Sequence, residues 1–571
     1  MQEHRSPVLQ MERGPTRDGM SGHRWLPWLI VAAGCAVYLN SLSVPFLFDD
    51  FDSIVENAQI RRLWPPWDPA LALSDMTVAG RPTVMLSLQL NYALGRLDVR
   101  GYHALNLMIH LLAALVLFGI VRRTLLSRRL RETYRSQAPW LALAVSLVWV
   151  AHPLLTGSVT YIVQRAESLM GLCFLLTLYA LLRGDSSPRP ERWYAAAVAS
   201  CGLGMGSKET MVSAPLLALL YDRAFLAASF RDVAHRRHGL YAGLAATWLV
   251  LGLSASTGGR VGKVLSWIKR IPPWDYANTQ GGVIVHYLRL AVWPNPLVID
   301  YGGWPTAKLA DGITPAAIVI AALVVATLWA WRRRPEVGFL GAWFFLILAP
   351  TSSALPVPTE IAAEHRMYLP MAAVVALVVL GGWNLLRHTV PREGLRRCLA
   401  VGVTVIVVVG LGCLANLRNL DYRSELAMWR DATGKRPNNP RAHNNLGFAL
   451  AALGQDREAM SHYTTAIQLQ PDYDQAHNNL GVVLERLGQF EEAIAHFQEA
   501  VRLNPRYVKA HHNLGLALVN LGRLDEAIAQ YREALRLHPN NDREVQHDLE
   551  AALDRQRQAQ TAGTTDLERE R

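Results

Sequence analysis

Eleven stretches of this 571-residue chain are apolar enough to be read as membrane spans, although several are short: 25–44, 102–121, 138–156, 161–182, 193–206, 209–222, 239–256, 314–331, 337–351, 367–386 and 399–417. A spanning helix needs about 20 mostly apolar residues. No other feature restricts the fold as much. A bilayer core offers no water to backbone N–H and C=O groups, so spans must satisfy them internally as helices. The expectation is an all-α, polytopic helical domain. The short, partly polar stretches are expected to be buried among their neighbours. Lys and Arg stay on the cytoplasmic side of short loops. The runs Arg122–Arg135, Arg183–Arg192, Arg223–Arg237, Arg332–Arg334 and Arg387–Arg397, with the N-terminus, fit one alternation of eleven spans. A twelfth span at 282–299 would put Arg332–Arg334 outside, so 257–312 reads as an external excursion with a re-entrant or interfacial piece. The segment 1–24 is then a cytoplasmic tail, the first span is a retained anchor, and everything after Arg418 is external.

Charge divides the chain. Residues 418–571 hold 41 charged groups among 154, about 27%, and the first 417 hold the other 62, about 15%. The net charge of +11 splits into +14 before Arg418 and −3 after it. The first part is too poor in charge for a soluble domain, which averages about 25%. The basic excess lies in short loops between spans, so it is a topology signal and implies no nucleic-acid partner. The five cysteines (Cys35, Cys173, Cys201, Cys398, Cys413) form no Cys-x-x-Cys or Cys/His group, and read as packing residues.

The second part is periodic. Pro437, Pro471, Pro505 and Pro539 are 34 residues apart, and Gly447/481/515, Gly454/488/522, Ala459/493/527 and Ala466/500/534 keep the same period. Helix, Gly turn, helix, Pro is the tetratricopeptide (TPR) signature, a unit that must stack to bury its apolar face. The expected division is a membrane domain over 25–417, a linker or degenerate repeat helix over 418–436, and repeats at 437–470, 471–504 and 505–538 within a 437–540 stack. A capping helix and disordered tail are expected over 541–571. Such a stack has no chemistry of its own and predicts a protein partner.

Chemistry belongs to the external ends of the spans. Phe-Leu-Phe-Asp49-Asp50-Phe-Asp52 follows the first span. Adjacent carboxylates near an apolar surface suit a general base or a metal ligand, while helix capping is the bland alternative. His103, Asn106 and His110 share one helix face, with Arg81 and Asn91 upstream. They read as an interhelical hydrogen-bond stripe or as a ligand site. His152, Arg165 and Glu167 flank the next external turn, Lys208-Glu209 the following one, and Glu364-His365-Arg366-Met-Tyr368 opens the tenth span. Lys208 and Glu209 could simply pair with each other. Arg260, Lys263, Lys269 and Arg270 make a basic external loop. Cations converging on an acidic pair at one membrane face suit an anionic lipid headgroup. There is no Walker loop or Gly-x-Gly-x-x-Gly unit, which argues against a nucleotide-driven pump or a nucleotide-sugar enzyme.

Phe48-Asp49-Asp50, Arg81-Pro82, Leu90-Asn-Tyr92, Gly101-Tyr-His-x-x-Asn-x-x-x-His110, Arg165-Ala-Glu167, Ser207-Lys-Glu209 and Glu364-His-Arg-Met-Tyr-Leu-Pro370, followed by TPR units, form a familiar set. The chain resembles the transmembrane and tetratricopeptide-repeat (TMTC) proteins, and more broadly the GT-C glycosyltransferases that include the protein O-mannosyltransferases. The resemblance implies transfer of a sugar, mannose or another hexose, from a polyprenyl- or dolichyl-phosphate donor to Ser/Thr hydroxyls of external proteins, with inversion. It makes Asp49 and Asp50 the catalytic pair, Asp49 the base, although the O-mannosyltransferases have Glu where this chain has Asp50. Arg366, Lys208, Arg165 and Arg260 become the donor-phosphate candidates, with Arg81, His103, His110, His152, Glu167, Glu209, Glu364, His365 and Tyr368 lining the site. The metal requirement stays open. The TPR groove would hold the acceptor protein and membrane lipids would surround the body. A lipid or surface-polysaccharide acceptor, a membrane-anchored TPR scaffold for envelope assembly and a lipid-linked-sugar transporter are the competing readings. Ala/Arg/Leu-rich composition points to a bacterial inner membrane; a eukaryotic source would imply the endoplasmic reticulum.

Overall fold

The computed structural model describes residues 23–64, 77–257, 271–353, 360–538 and 543–569. Among them every regular element is a helix. The body opens with α1 (Leu26–Tyr38), α2 (Pro82–Gly95), α3 (Val99–Leu125), α4 (Ala138–Val150) and α5 (Arg165–Asp185). It continues with α6 (Pro190–Met205), α7 (Ala214–Phe225), α8 (Phe230–Thr257) and α9 (Pro273–Val292). Helices α10 (Pro315–Arg333), α11 (Pro335–Leu348), α12 (Pro370–Thr389) and α13 (Glu393–Asn419) complete it. Prolines stand at the first turn of nine of these helices (α1, α2, α4, α6, α7, α9, α10, α11 and α12), where a missing N–H costs nothing.

The count of eleven spans is not reproduced. Five helices among the described residues are long and apolar enough to cross a membrane: Val99–Leu125, Ile162–Asp185, Pro315–Arg333, Pro370–Thr389 and Glu393–Tyr422. Ala138–Val150 with Pro153–Thr160, bent by 55°, would make a sixth, and Leu26–Ser41 and Pro335–Leu348 are shorter apolar helices. The stretches expected at 193–206, 209–222 and 239–256 are helical but fall short of that standard. At 1.5 Å per residue the 12 residues of α7 reach only about 18 Å, against a hydrocarbon core of about 30 Å. Within 257–312 the chain forms α9, a 20-residue helix that ends before Pro294 and Pro296.

Helix α3 runs through the centre, packed on α1, α4 and α5. A knot of rings fixes its middle. The Tyr368 hydroxyl donates to His110 Nδ1 (2.9 Å), Trp149 Nε1 donates to the Tyr368 carbonyl (3.1 Å), and the His110 and Trp149 rings lie 4.9 Å apart. Far from it, Arg237 binds Asp185, Asp222 (2.6 Å) and the Tyr194 hydroxyl (2.9 Å), tying the basic loops of α5 to α8 into one end of the body.

The helix α14 (Glu425–Lys435) follows the last span and packs on the stack. The stack is α15 (Pro440–Ala452), α16 (Asp456–Leu469), α17 (Asp474–Arg486), α18 (Phe490–Leu503), α19 (Val508–Asn520) and α20 (Leu524–Leu537). Its two glycine series have different jobs. Gly454, Gly488 and Gly522 take positive φ (74°, 78° and 72°) at the turns. A Cβ on Gly447, Gly481 or Gly515 would lie 2.8, 2.6 or 2.4 Å from the ring of Tyr463, Phe497 or Tyr531. One further helix, α21 (Arg543–Arg569), follows the stack and buries Val545 and Ala552.

Candidate functional site

The site begins with a tight turn after α1. Phe48 has φ 43°, a left-handed conformation that costs a non-glycine residue about 1–3 kcal/mol. The Asp50 N–H closes the turn on the Leu47 carbonyl at 2.8 Å. Asp50 points inward, 1% exposed, and its two carboxylate oxygens accept the N–H groups of Leu47 (3.0 Å) and Val163 (2.8 Å). Burial pushes its carboxyl up to about 8, against the pull of those two donors. Asp50, expected beside Asp49 in the catalytic pair, has one backbone N–H on each oxygen, which ties the turn to the segment just before α5.

Asp49 faces the other way and is half-buried. Its N–H donates to the Tyr161 hydroxyl at 3.0 Å, and its carboxylate is hydrogen-bonded by Tyr161 and Thr77. Burial raises this carboxyl to about 6, helped by the charge of Glu360 and opposed by the two hydroxyls and Arg441. A carboxylate in that range is mostly ionised at neutral pH yet basic enough to take a proton, as a general base requires.

Cations gather around His365. Lys208 Nζ lies 2.5 Å from Glu167 Oε2 in a buried pair, and Arg81 lies 3.6 Å from Glu209. The anticipated local pair of Lys208 with its neighbour Glu209 is therefore not what forms. His365 Nε2 is 3.8 Å from Glu360 Oε2. Burial, then the charges of Lys208, Arg366 and Arg81, hold His365 well below the usual imidazole range, so it is neutral. The Arg366 guanidinium donates to the carbonyls of Thr351 (3.3 Å), Ile361 (3.1 Å) and Glu360. Glu360 thus bridges the two groups: its charge acts on Asp49 and its carboxylate approaches His365.

Other expected site residues are engaged elsewhere. Arg165 is completely buried and gives its donors to Asn106 Oδ1 (2.6 Å), Asn91 Oδ1 (2.6 Å), Ser87 and the Tyr102 carbonyl (3.0 Å). That clamp joins α2, α3 and α5 and leaves Arg165 poorly placed to grip a phosphate. His103 Nε2 binds the Val44 carbonyl at 2.8 Å, His110 and Tyr368 belong to the ring knot, and His152 Nδ1 caps the Leu154 N–H. His103 and His110 thus hydrogen-bond to other segments from one shared helix face. Glu364 accepts from the Val298 N–H (2.5 Å) and the Tyr301 hydroxyl (2.8 Å). Arg260, Lys263, Lys269 and Arg270 lie outside the described residues. The described residues include no group of three or more His, Cys, Asp or Glu placed to hold a metal ion.

Thr77, Glu360 and Arg441 were not foreseen. No spacing connects Asp49 to a residue about 300 or 400 positions away, so the sequence carries no signal for Glu360 or Arg441. Thr77 is an isolated hydroxyl after a stretch without periodicity.

Fold and site together define a polytopic helical membrane protein with a TPR stack seated on the end of the body that holds a carboxylate–cation cluster. Comparison with known proteins narrows this. The family model for dolichyl-phosphate-mannose-protein mannosyltransferase matches residues 151–254, which includes Arg165, Glu167 and Lys208 but not Asp49. Tetratricopeptide models match 439–506 and 478–542. The chain is 25% identical over 545 residues to protein O-mannosyl-transferase Tmtc3 of Drosophila melanogaster, covering 82% of this chain and 58% of that protein. It is 24% identical to protein O-mannosyl-transferase TMTC4 of Mus musculus, covering 77% of this chain and 66% of that one. It thus spans about three-fifths to two-thirds of those relatives' lengths. The chain is a TMTC-like membrane protein.

Proposed function

We propose that this protein transfers a sugar, mannose by its likeness to the O-mannosyl-transferases, from a polyprenyl- or dolichyl-phosphate donor to Ser/Thr hydroxyls of proteins on the non-cytoplasmic side. The observation that carries this reading is Asp49: a half-buried carboxylate raised to about 6, hydrogen-bonded by Tyr161 and Thr77, and linked through Glu360 to the Lys208–Arg81–Arg366 cluster.

In the proposed reaction the acceptor oxygen bonds to the anomeric carbon from the face opposite the phosphate, inverting the centre as a GT-C enzyme would. The bond from that carbon to the phosphate oxygen breaks, and the lipid phosphate leaves with the electron pair. The acceptor's proton passes to Asp49. Fixed positive charge where a phosphate leaves is worth several kcal/mol in a water-poor site. Lys208 and Arg81 suit that role, because neither an ammonium with three N–H groups nor a guanidinium with five is exhausted by one carboxylate. Arg366 shapes the loop from Thr351 to Ile361 and adds its charge. The stack holds the acceptor and raises its local concentration at the site.

Asp49→Asn in the full-length protein should cut transfer at least ~100-fold with the melting temperature unchanged; glycopeptides at the wild-type level in that variant would overturn the reading. The pH profile follows from the same group. Only the carboxylate accepts a proton, so the rate should climb about tenfold per unit up to about pH 6 and level off above it. A rate flat from pH 5 to 7 would remove Asp49 from the reaction.

A further inference from the structure

The turn that presents Asp49 is held from the repeat side. Glu425, in the first turn of α14, accepts the Phe48 N–H on Oε1 at 2.8 Å. The Phe48 ring meets Trp429 of the same helix edge-on, centroids 5.2 Å apart at 80°, and Trp429 is buried. Phe48 is the residue in the left-handed conformation, directly before Asp49. Such a conformation persists only where its surroundings over-determine it. Asp50 fixes the turn from inside the body, and Glu425 with Trp429 fixes it from outside.

A second fastening lies alongside. Arg441, at the start of the first full repeat, grips Asp300 through two of its nitrogens, and Asn439 Nδ2 donates to the Asp300 carbonyl at 3.1 Å. Lys435 Nζ reaches the Leu297 carbonyl at 2.9 Å. Gly302, at φ +61°, lies so close to Asn439 that a Cβ there would fall 2.4 Å from its side chain. Arg441 also faces Asp49 and Glu360 electrostatically. The stack is therefore bolted to the loops that frame the site.

We infer that Glu425 is a positioning residue for Asp49, acting through the Phe48 amide, and that the junction of the repeat arm is thereby part of the catalytic apparatus as well as an acceptor dock. This rests on the reading of Asp49 as the base. Without the Glu425 acceptor the Phe48 backbone loses an external restraint and relaxes toward ordinary φ, swinging the next carboxylate away from the acceptor hydroxyl. Misplacement of about 1 Å can cost about a hundredfold in rate.

The test uses full-length protein with dolichyl phosphate mannose and a Ser/Thr-rich acceptor peptide, alongside amide hydrogen exchange. Glu425→Ala should lower kcat at least tenfold with the donor KM within twofold. Glu425→Gln, which keeps an oxygen for the Phe48 N–H, should retain more than half of kcat. Peptides spanning 46–50 should exchange at least tenfold faster in Glu425→Ala, with protection of the repeats unchanged. Unaltered exchange at 46–50 would overturn the inference with no assay of transfer needed. So would wild-type kcat in Glu425→Ala while Asp49→Asn is dead, or Glu425→Gln as damaged as Glu425→Ala. If Asp49→Asn itself turns over normally, the functional reading has failed, and that outcome is distinct from failure at Glu425.

Discussion

The body and the stack use polar side chains in opposite ways. In the stack the same interactions recur at several positions one repeat later. His443, His477 and His511 reach the carbonyls of Pro437, Pro471 and Pro505 at 2.9, 3.1 and 3.2 Å. Asn479 donates to Asn444 and Asn513 to Asn478, at 3.0 and 2.9 Å. In the body the polar knots are each made once, between segments far apart in sequence: Arg165 to Asn91 and Asn106, Asp50 to Val163, His110 to Tyr368. A stack shares its stability among near-equivalent neighbours. A body with few buried polar knots concentrates it, because each buried group left without a partner costs the full desolvation.

That contrast can be broken by mutation. The largest effect should come from Arg165→Met, which strands Asn91, Asn106 and the Tyr102 carbonyl among three helices. Removing one side of such a buried network costs about 3–5 kcal/mol. The variant should lose the melting transition of the body and its transfer activity together, read by thermal unfolding in detergent. Gly481→Ala should cost less, about 1–3 kcal/mol, by forcing the Phe497 ring aside, with new protease cuts confined to the repeats. Gly488→Ala should be smaller still, about 1 kcal/mol, for an alanine at φ 78° with open space around it. If Gly481→Ala melts the body as fully as Arg165→Met does, stability is not partitioned as described.

The same contrast explains what could be read beforehand. The repeat period and the turn glycines follow from a 34-residue spacing, since every repeat meets the same neighbours. Asp49 was visible as a carboxylate just beyond an apolar run. The different surroundings of Asp49 and Asp50 were not, because two adjacent identical side chains are told apart only by the left-handed φ of Phe48 and the partners on each side. Arg165 reads as a phosphate ligand because a buried cation between spans is by default functional; four neighbours on two other helices take its donors. The shorter apolar stretches pose a related problem. Averaged hydropathy cannot distinguish a helix that crosses lipid from a short one, such as α7, buried among others.

By itself the sequence determined an all-helical chain, its division near Arg418 into a charge-poor body and a charged stack, the repeat phase, and the carboxylate after the first helix. These rest on local composition and periodicity, which act over a few helical turns. Only the tertiary structure decided which carboxylate is tied to two backbone N–H groups, which cations pair with which carboxylates, and that Glu360 and Arg441 act on Asp49 while Glu425 holds the residue before it. Those depend on pairings across hundreds of residues, where geometry brings together groups that no spacing along the chain relates.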